Sequence, residues 1–592
     1  MISLKSFFQR GSGPLPAVLV GLVVFFVAGV DMIRALRPGV LLDPDPAWAI
    51  PRLAQGLFAV AVAAAAGVIA AGLFFLWSQT RWSREDPAAL PFGRTALVLL
   101  AAASILLGAW LRFVRLDRVP WPVFIDEASL ATPALQLEGR WCDFRDSIRP
   151  APYRYGAFTT IGVLFLEGYR AVLGFFGTTV FAIRFPAFLT GALTLVTAAL
   201  LGRALLPRGG GALAALTLAG MRWHMNLSRW AWCPTTMTLT TDAGTLFLLA
   251  ARRRGSAALA AAAGFAVGLG AHVYLSAWPA ALGLFGLAAW PRPEERFRPR
   301  VGLAAGFLLG LMLAVAPLFL LREGRGVPYF NRAGDHNVLK EIRYNRSLMP
   351  LFAVTADALA SPWLVPDPTP RHDLTQSRLG FLGIPLAVAF GQALLRPRRE
   401  LSALLLFQAA AALAASIAGG QSGNPNGLRY GYLATLTAVA VAAGTLILIR
   451  LVAEPRRRLA GLVAVGALAV ASGVGAEGSF RWARDRGTFD GFHGQDTLVG
   501  RAALRWDAFG PSRVRAGLAH DPVTIYAIRR YRLDTDPGVV AAAHPEFWAP
   551  RPAARTFRIE PPGTPLQPGE RVVERIQDGW GRAWAIVLGR KR

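Results

Sequence analysis

Long apolar stretches follow one another along most of the chain, and they decide what it can fold into. They fall at roughly 16–33, 53–77, 95–113, 182–202, 210–228, 234–251, 257–272, 274–290, 302–321, 378–395, 401–418, 430–450 and 459–475. Most approach the ~20 residues that carry a helix across a bilayer, where backbone polar groups must all be satisfied internally. The pattern predicts an all-α polytopic membrane protein with about thirteen spans. Of the 592 residues, 54% are hydrophobic and only 17% charged, which excludes a soluble domain of this length.

The formal charge of +27 raises nucleic acid as a partner, but the basic residues are arginines knotted between apolar runs and do not line one amphipathic face. Arg252–Arg254, the Arg292–Arg300 segment, Arg396–Arg399 and Arg456–Arg458 are each separated by two spans, so all four lie on one face. The positive-inside rule makes that face cytoplasmic, and no nucleic-acid partner is expected. Parity then puts three long connections outside: 114–181, 322–377 and the tail from about 476. Segment 157–177 carries Glu167, Arg170 and repeated glycines, and reads as a helix in the outer interface. Counted as a span, it would move the 114–156 loop to the cytoplasmic side.

Lys5 and Arg10 precede the first run with no small-residue cleavage pattern after it, which predicts a retained first helix. Three regions follow: extra N-terminal spans over 1–94, a transmembrane domain over 95–475, and a polar extracytoplasmic appendage over 476–592. Strand-like runs in the last, Pro522–Ala527, Arg555–Glu560 and Ala583–Gly589, predict a small α/β fold. The two cysteines, Cys142 and Cys233, exclude a cysteine-based metal site and a disulfide framework, and leave room for a single disulfide on the outer face.

In the first outer loop, Ile125-Asp126-Glu127-Ala128 places adjacent carboxylates at a helix start. Structurally the pair reads as an N-cap with a favourable first-turn charge. On the same face Trp223-His224 and Arg229 end a span, where an anionic headgroup could bind, although Trp223, Trp230 and Trp232 also suit an ordinary aromatic belt. Asp242, inside a span with Thr235, Thr238, Thr241 and Thr245, predicts a buried hydrogen bond to a threonine or to His224.

The Ile-Asp126-Glu127-Ala loop, Trp223-His224 with Arg229, the Gly268–Tyr274 stretch and the Ala316-Pro-Leu-Phe segment together resemble the GT-C class of membrane glycosyltransferases that use polyprenyl-phosphate sugars. The chain is similar to bacterial protein mannosyltransferases and to the aminoarabinose transferase of lipid A, over roughly residues 95–450. The resemblance implies a GT-C-like bundle in which an acidic residue of the first extracytoplasmic loop serves catalysis. That residue maps onto Asp126, with Glu127 beside it. Where many relatives carry a His-Pro-Pro-Leu-Tyr-like segment, Pro150 to Gly156 stands here, making Arg154 and Tyr155 substrate-binding candidates. Two extra N-terminal spans are a further departure.

Such a transfer needs a base for the acceptor proton and a cation for the departing phosphate. One positioned carboxylate is worth ~10² to 10⁴ in rate. Direct displacement inverts the anomeric carbon, and the phosphate leaves without protonation. Arginine suits the phosphate because its fork meets two oxygens at once, which singles out Arg229 and Arg429, the latter following the glycine-rich turn at 419–428. His224 would assist. Asp335 and His336 in the 322–377 loop could bind sugar hydroxyls. No metal motif is present; a divalent cation between Asp126 and the phosphate fits the chemistry but is not required, and no other cofactor is implied. The expected partners are a polyprenyl-phosphate sugar, a glycan, lipid or protein acceptor, and membrane lipid. The alternatives are a lipid or solute transporter, which predicts paired charges near the midplane of broken helices, and a non-catalytic member of the same fold.

Overall fold

The computed structural model describes residues 92–120, 122–136, 163–231, 234–291, 297–320, 338–360, 382–397, 399–419, 427–484, 494–507, 512–515, 557–577 and 582–590, together with Leu90, Phe489 and Ile528. The spans expected at 16–33 and 53–77 lie outside the described residues, as do Cys142 and Cys233.

The described chain is mostly helical: α1 (Arg94–Phe113), α2 (Ile125–Gln136), α3 (Val163–Phe176), α4 (Val180–Leu205), α5 (Gly210–Ala219), α6 (Arg222–Leu227), α7 (Pro234–Arg254), α8 (Ala257–Gly270), α9 (Ala277–Ala289), α10 (Phe297–Leu320), α11 (Val338–Asn345), α12 (Met349–Ala360), α13 (Gly383–Leu395), α14 (Glu400–Gly419), α15 (Ala434–Leu451) and α16 (Arg457–Trp482). A last helix, α17 (Gly494–Asp507), leads into a small sheet. Four helical segments are long and apolar enough to cross a membrane, 94–113, 180–205, 430–451 and 454–482, and six shorter apolar helices pack among them. The chain is an integral membrane protein with several spans. On α1 and α16, Leu99, Leu106, Leu462 and Val470 are all more than half exposed, as suits helices whose outer faces meet lipid.

Inside the bundle, close approach replaces the hydrophobic effect as the packing principle. Helices α8 and α10 cross with Gly264 and Gly268 on one facing Gly306 and Gly310 on the other; a Cβ at Gly310 would sit 1.8 Å from the Ala261 carbonyl oxygen, and one at Gly264 1.9 Å from that of Phe307. The expected span at 210–228 is instead two helices, α5 and α6, broken at Gly220. There α16 crosses so closely that a Cβ on Gly220 would lie 2.1 Å from Ser472 Cα, and Ser472 Oγ donates to the Leu216 carbonyl at 2.8 Å.

Both ends of the bundle are fixed by named contacts. At one end Arg252 donates to the carbonyls of Leu287 and Trp290 and pairs with Glu400 at 3.3 Å, while Arg253 donates to the Ala204 carbonyl at 2.6 Å. The ends of α4, α7 and α9 and the start of α14 are thereby gathered at one end of the bundle. The opposite face carries the ends of α1 and α6 and the starts of α2, α4 and α7.

The appendage sheet runs β1 (Ser512–Val514), β2 (Phe557–Glu560), β4 (Ala583–Arg590), β3 (Glu570–Gln577), with β1 parallel to β2 and the other pairs antiparallel. Val499, Ala502 and Ala503 of α17 cover Phe557, Ile559, Ile576 and Val587. The expected strands at 555–560 and 583–589 correspond to β2 and β4; the run at 522–527 lies outside the described residues. Strand β3, Glu-Arg-Val-Val-Glu-Arg-Ile-Gln, was not anticipated, because its charged residues mask the alternation of an edge strand.

Candidate active site

Between Phe113 and Ile125 the chain leaves α1 and turns back on itself, which strands a run of carbonyls without helical partners. Two buried arginines from elsewhere collect them. Arg229, just past α6, donates to the carbonyls of Leu111 (2.6 Å), Arg112 (3.1 Å), Val114 (2.6 Å), Arg115 (3.3 Å) and Val119 (3.2 Å), and so caps the end of α1. Arg184, in the first turns of α4, donates to Leu116 (3.2 Å), Pro120 (2.6 Å) and Pro122 (2.8 Å). A third, Arg112, caps α5 through Leu218 (2.9 Å) and Ala219 (3.0 Å). The five-donor guanidinium fork makes each of these multiple captures possible. Burial, with the Arg184 charge close by, pulls the Arg229 guanidinium down to about 9, still a cation at neutral pH.

The same Arg184 clamps Glu127, Nε to Oε1 at 2.8 Å and Nη2 to Oε2 at 2.9 Å. Glu127 also takes the Phe124 N–H on Oε2 and the Ala231 N–H on Oε1, each at 3.0 Å. The first of these is the reach-back half of a capping box at the start of α2. Four donors fill the roughly four lone-pair sites of the carboxylate, and the side chain is 1% exposed. Ala231 is a junction, since its carbonyl accepts from Tyr169 Oη of α3 at 2.7 Å. Helix α3 occupies the heart of the segment expected to lie in the interface. Phe124 meets the buried Trp230 ring edge-on at 5.8 Å.

Asp126 stands one residue earlier, 100° around the helix, and is half-buried where Glu127 is sealed. The adjacent carboxylates therefore have different environments, a distinction that their spacing in the sequence does not contain.

Arg229, expected to meet a donor phosphate, instead faces five carbonyls. His224, expected to assist binding, is fully buried between Arg112 Nη2, 2.8 Å from Nδ1, and Thr194 Oγ1, 2.8 Å from Nε2. Because arginine only donates, Nδ1 is the acceptor and the ring is neutral with its proton on Nε2. Asp242 accepts from Thr197 Oγ1 at 2.5 Å, a threonine partner as expected, while His224 is engaged elsewhere. Arg154, Tyr155, Asp335 and His336 lie outside the described residues; Arg429 is described only by its backbone, in the 3₁₀ turn Gly427–Leu433. Among the described residues no group of His, Cys, Asp or Glu could hold a metal ion. Sequence reasoning missed Arg184, although a lone charge at the end of an apolar run is a signal that a buried partner waits in the fold.

One end of the helical bundle thus brings together a carboxylate-bearing helix start and three buried guanidiniums, those of Arg112, Arg184 and Arg229. Residues 169–319 match the family model of dolichyl-phosphate-mannose-protein mannosyltransferases. The chain is accordingly a glycosyltransferase that uses a lipid-phosphate sugar donor. The matched segment begins at Tyr169 and does not include Asp126. Among solved structures the chain is similar to ArnT from Cupriavidus metallidurans, bound to undecaprenyl phosphate and in the apo state, each at 16% identity and TM-score 0.48, over 84% of this chain and 98% of that one. It is also similar to the Archaeoglobus fulgidus oligosaccharyltransferase tethered to an acceptor peptide, at 14% identity and TM-score 0.44, over 75% of this chain and 60% of that one. No curated protein sequence matches the chain.

Proposed function

We propose that the protein moves a sugar from a polyprenyl phosphate to a hydroxyl of a glycan, lipid or protein on the extracytoplasmic side of a bacterial cytoplasmic membrane, with Asp126 as the base. The observation that carries this reading is the division of labour at the start of α2. Glu127 is saturated by four donors and sealed, whereas Asp126, next to it in the first turn of α2, is only half-buried. In the reaction the Asp126 carboxylate takes the acceptor hydroxyl proton as the oxygen attacks the anomeric carbon. The bond from that carbon to the phosphate oxygen breaks, polyprenyl phosphate departs with the bonding electrons, and the anomeric configuration inverts.

Glu127, Arg229 and His224 serve this site as scaffold. Arg112, Arg184 and Arg229 gather three buried guanidiniums around the buried carboxylate of Glu127, which favours an anionic headgroup at this end of the bundle through the field. Direct phosphate contacts fall to Arg429, Arg154 and Tyr155, and acceptor contacts to Asp335 and His336. The arginine-rich turns of the opposite face support a cytoplasmic location for it.

Asp126→Asn tests the base. In membranes supplied with polyprenyl-phosphate mannose the variant should lose ~10²-fold or more of transfer at unchanged protein level. Wild-type turnover would refute the assignment.

A further inference from the structure

The appendage had no function in the sequence, yet it reaches the loop that bears Asp126. In the extended stretch entering α2, Val123 presents both its backbone groups to a single side chain. The Val123 N–H donates to Thr497 Oγ1 at 3.1 Å, and the Thr497 hydroxyl donates to the Val123 carbonyl at 3.1 Å. Thr497 lies in the first turn of α17, 374 residues along the chain, and is fully buried, as Asp496 before it is. Val123 and Phe124, the two residues before α2, are 1% and 0% exposed. The preceding span grips the other half of the site: Ser479 Oγ donates to Asn226 Oδ1 of α6 at 2.6 Å, and the Phe480 ring lies 5.1 Å from the Arg229 guanidinium. Strand-like pairing to one hydroxyl fixes the backbone three residues before Asp126 in a way that apolar packing alone would not, because a hydrogen bond sets direction as well as distance.

We propose that Thr497 is a positioning residue of the transfer site, through which the C-terminal α/β appendage sets the placement of Asp126. The inference rests on the reading of Asp126 as base. A displacement of the order of 1 Å in a reacting group costs about a hundredfold in rate, so a loosened Val123 should appear in turnover before it appears in binding.

The experiment uses the full chain in membranes with polyprenyl-phosphate mannose, and compares Thr497→Val, which keeps the shape and removes both bonds, with Thr497→Ser, which keeps them. Thr497→Val should lower kcat about ten- to a hundredfold, leave the donor KM within about twofold, displace the acid limb of the pH profile and speed amide exchange at Val123. Thr497→Ser should restore all four readouts. Wild-type kcat in Thr497→Val, an equal loss in both variants, or a loss that only follows the amount of folded protein would overturn the proposal. Asp126→Asn is measured alongside: if it is inactive while Thr497→Val is normal, only the positioning role fails, and if it is active, the base reading fails first.

Discussion

Replacing Glu127 by glutamine changes one oxygen into an NH₂ group and removes a charge, while leaving size and shape alone. The structure makes this a severe change. Whichever way the amide is turned, its NH₂ meets two donors: Phe124 N–H and Arg184 Nη2 on one side, or Ala231 N–H and Arg184 Nε on the other. Two donors lose their acceptor, and the Arg184 guanidinium, fully buried, loses its counter-charge. Breaking a buried ion pair from one side costs about 3–5 kcal/mol, which lowers the folded-to-unfolded ratio of the loop region by between about a hundredfold and several thousandfold. The check is thermal and denaturant unfolding of the detergent-solubilised variant, together with transfer by the fraction that remains folded. Glu127→Gln should unfold at markedly lower temperature and retain transfer per folded molecule within about an order of magnitude, whereas Asp126→Asn should do the reverse. The double variant Glu127→Leu/Arg184→Met should recover part of the stability, since no unpaired charge is left. Recovery will be incomplete, because the carbonyls of Leu116, Pro120 and Pro122 also depend on Arg184. A Glu127→Gln protein that melts like the wild type and transfers nothing would refute the scaffold role and make Glu127 a catalytic residue.

Two further outcomes are expected. Gly310→Ala forces a methyl against the Ala261 carbonyl and should cost about 1–3 kcal/mol or more by overpacking, while Gly302→Ala on the same helix, with nothing within 4 Å, should be close to neutral; equal melting temperatures for the two would contradict the α8–α10 crossing. Impermeant maleimide applied to intact cells should label Asp143→Cys and leave Ala257→Cys unmodified, and the opposite pattern would put the proposed site on the wrong side of the membrane.

What the sequence revealed and what it hid divide along a physical line. Apolar runs disclosed α1, α4, α7, α8 and α14 to within a few residues, because a span must bury or solvate its whole circumference in lipid and composition records that need directly. Gly220 was readable as a residue but not as a break in a span, since the reason for the break is the passage of Ser472, which no local pattern encodes. The site was legible as a place and not as a set of roles. Asp126 and Glu127 are neighbours with the same chemistry, and what separates them is the arrival of Arg184, 57 residues on, and of the Ala231 amide, 104 residues on. Once those two partners have filled Glu127, it follows from helix geometry alone that the preceding side chain, a hundred degrees around, faces a different environment. The same reasoning recasts the arginines. In a loop that must leave a membrane helix with its last carbonyls unpaired, a buried guanidinium is first of all a donor to the backbone, and its attraction for a lipid phosphate is the residual field of a charge whose hydrogen bonds are already made. On the proposed function the donor phosphate takes its direct contacts from arginines outside this capped core, and Arg429 and Arg154, the arginine candidates remaining from the sequence, are the informative substitutions for donor affinity.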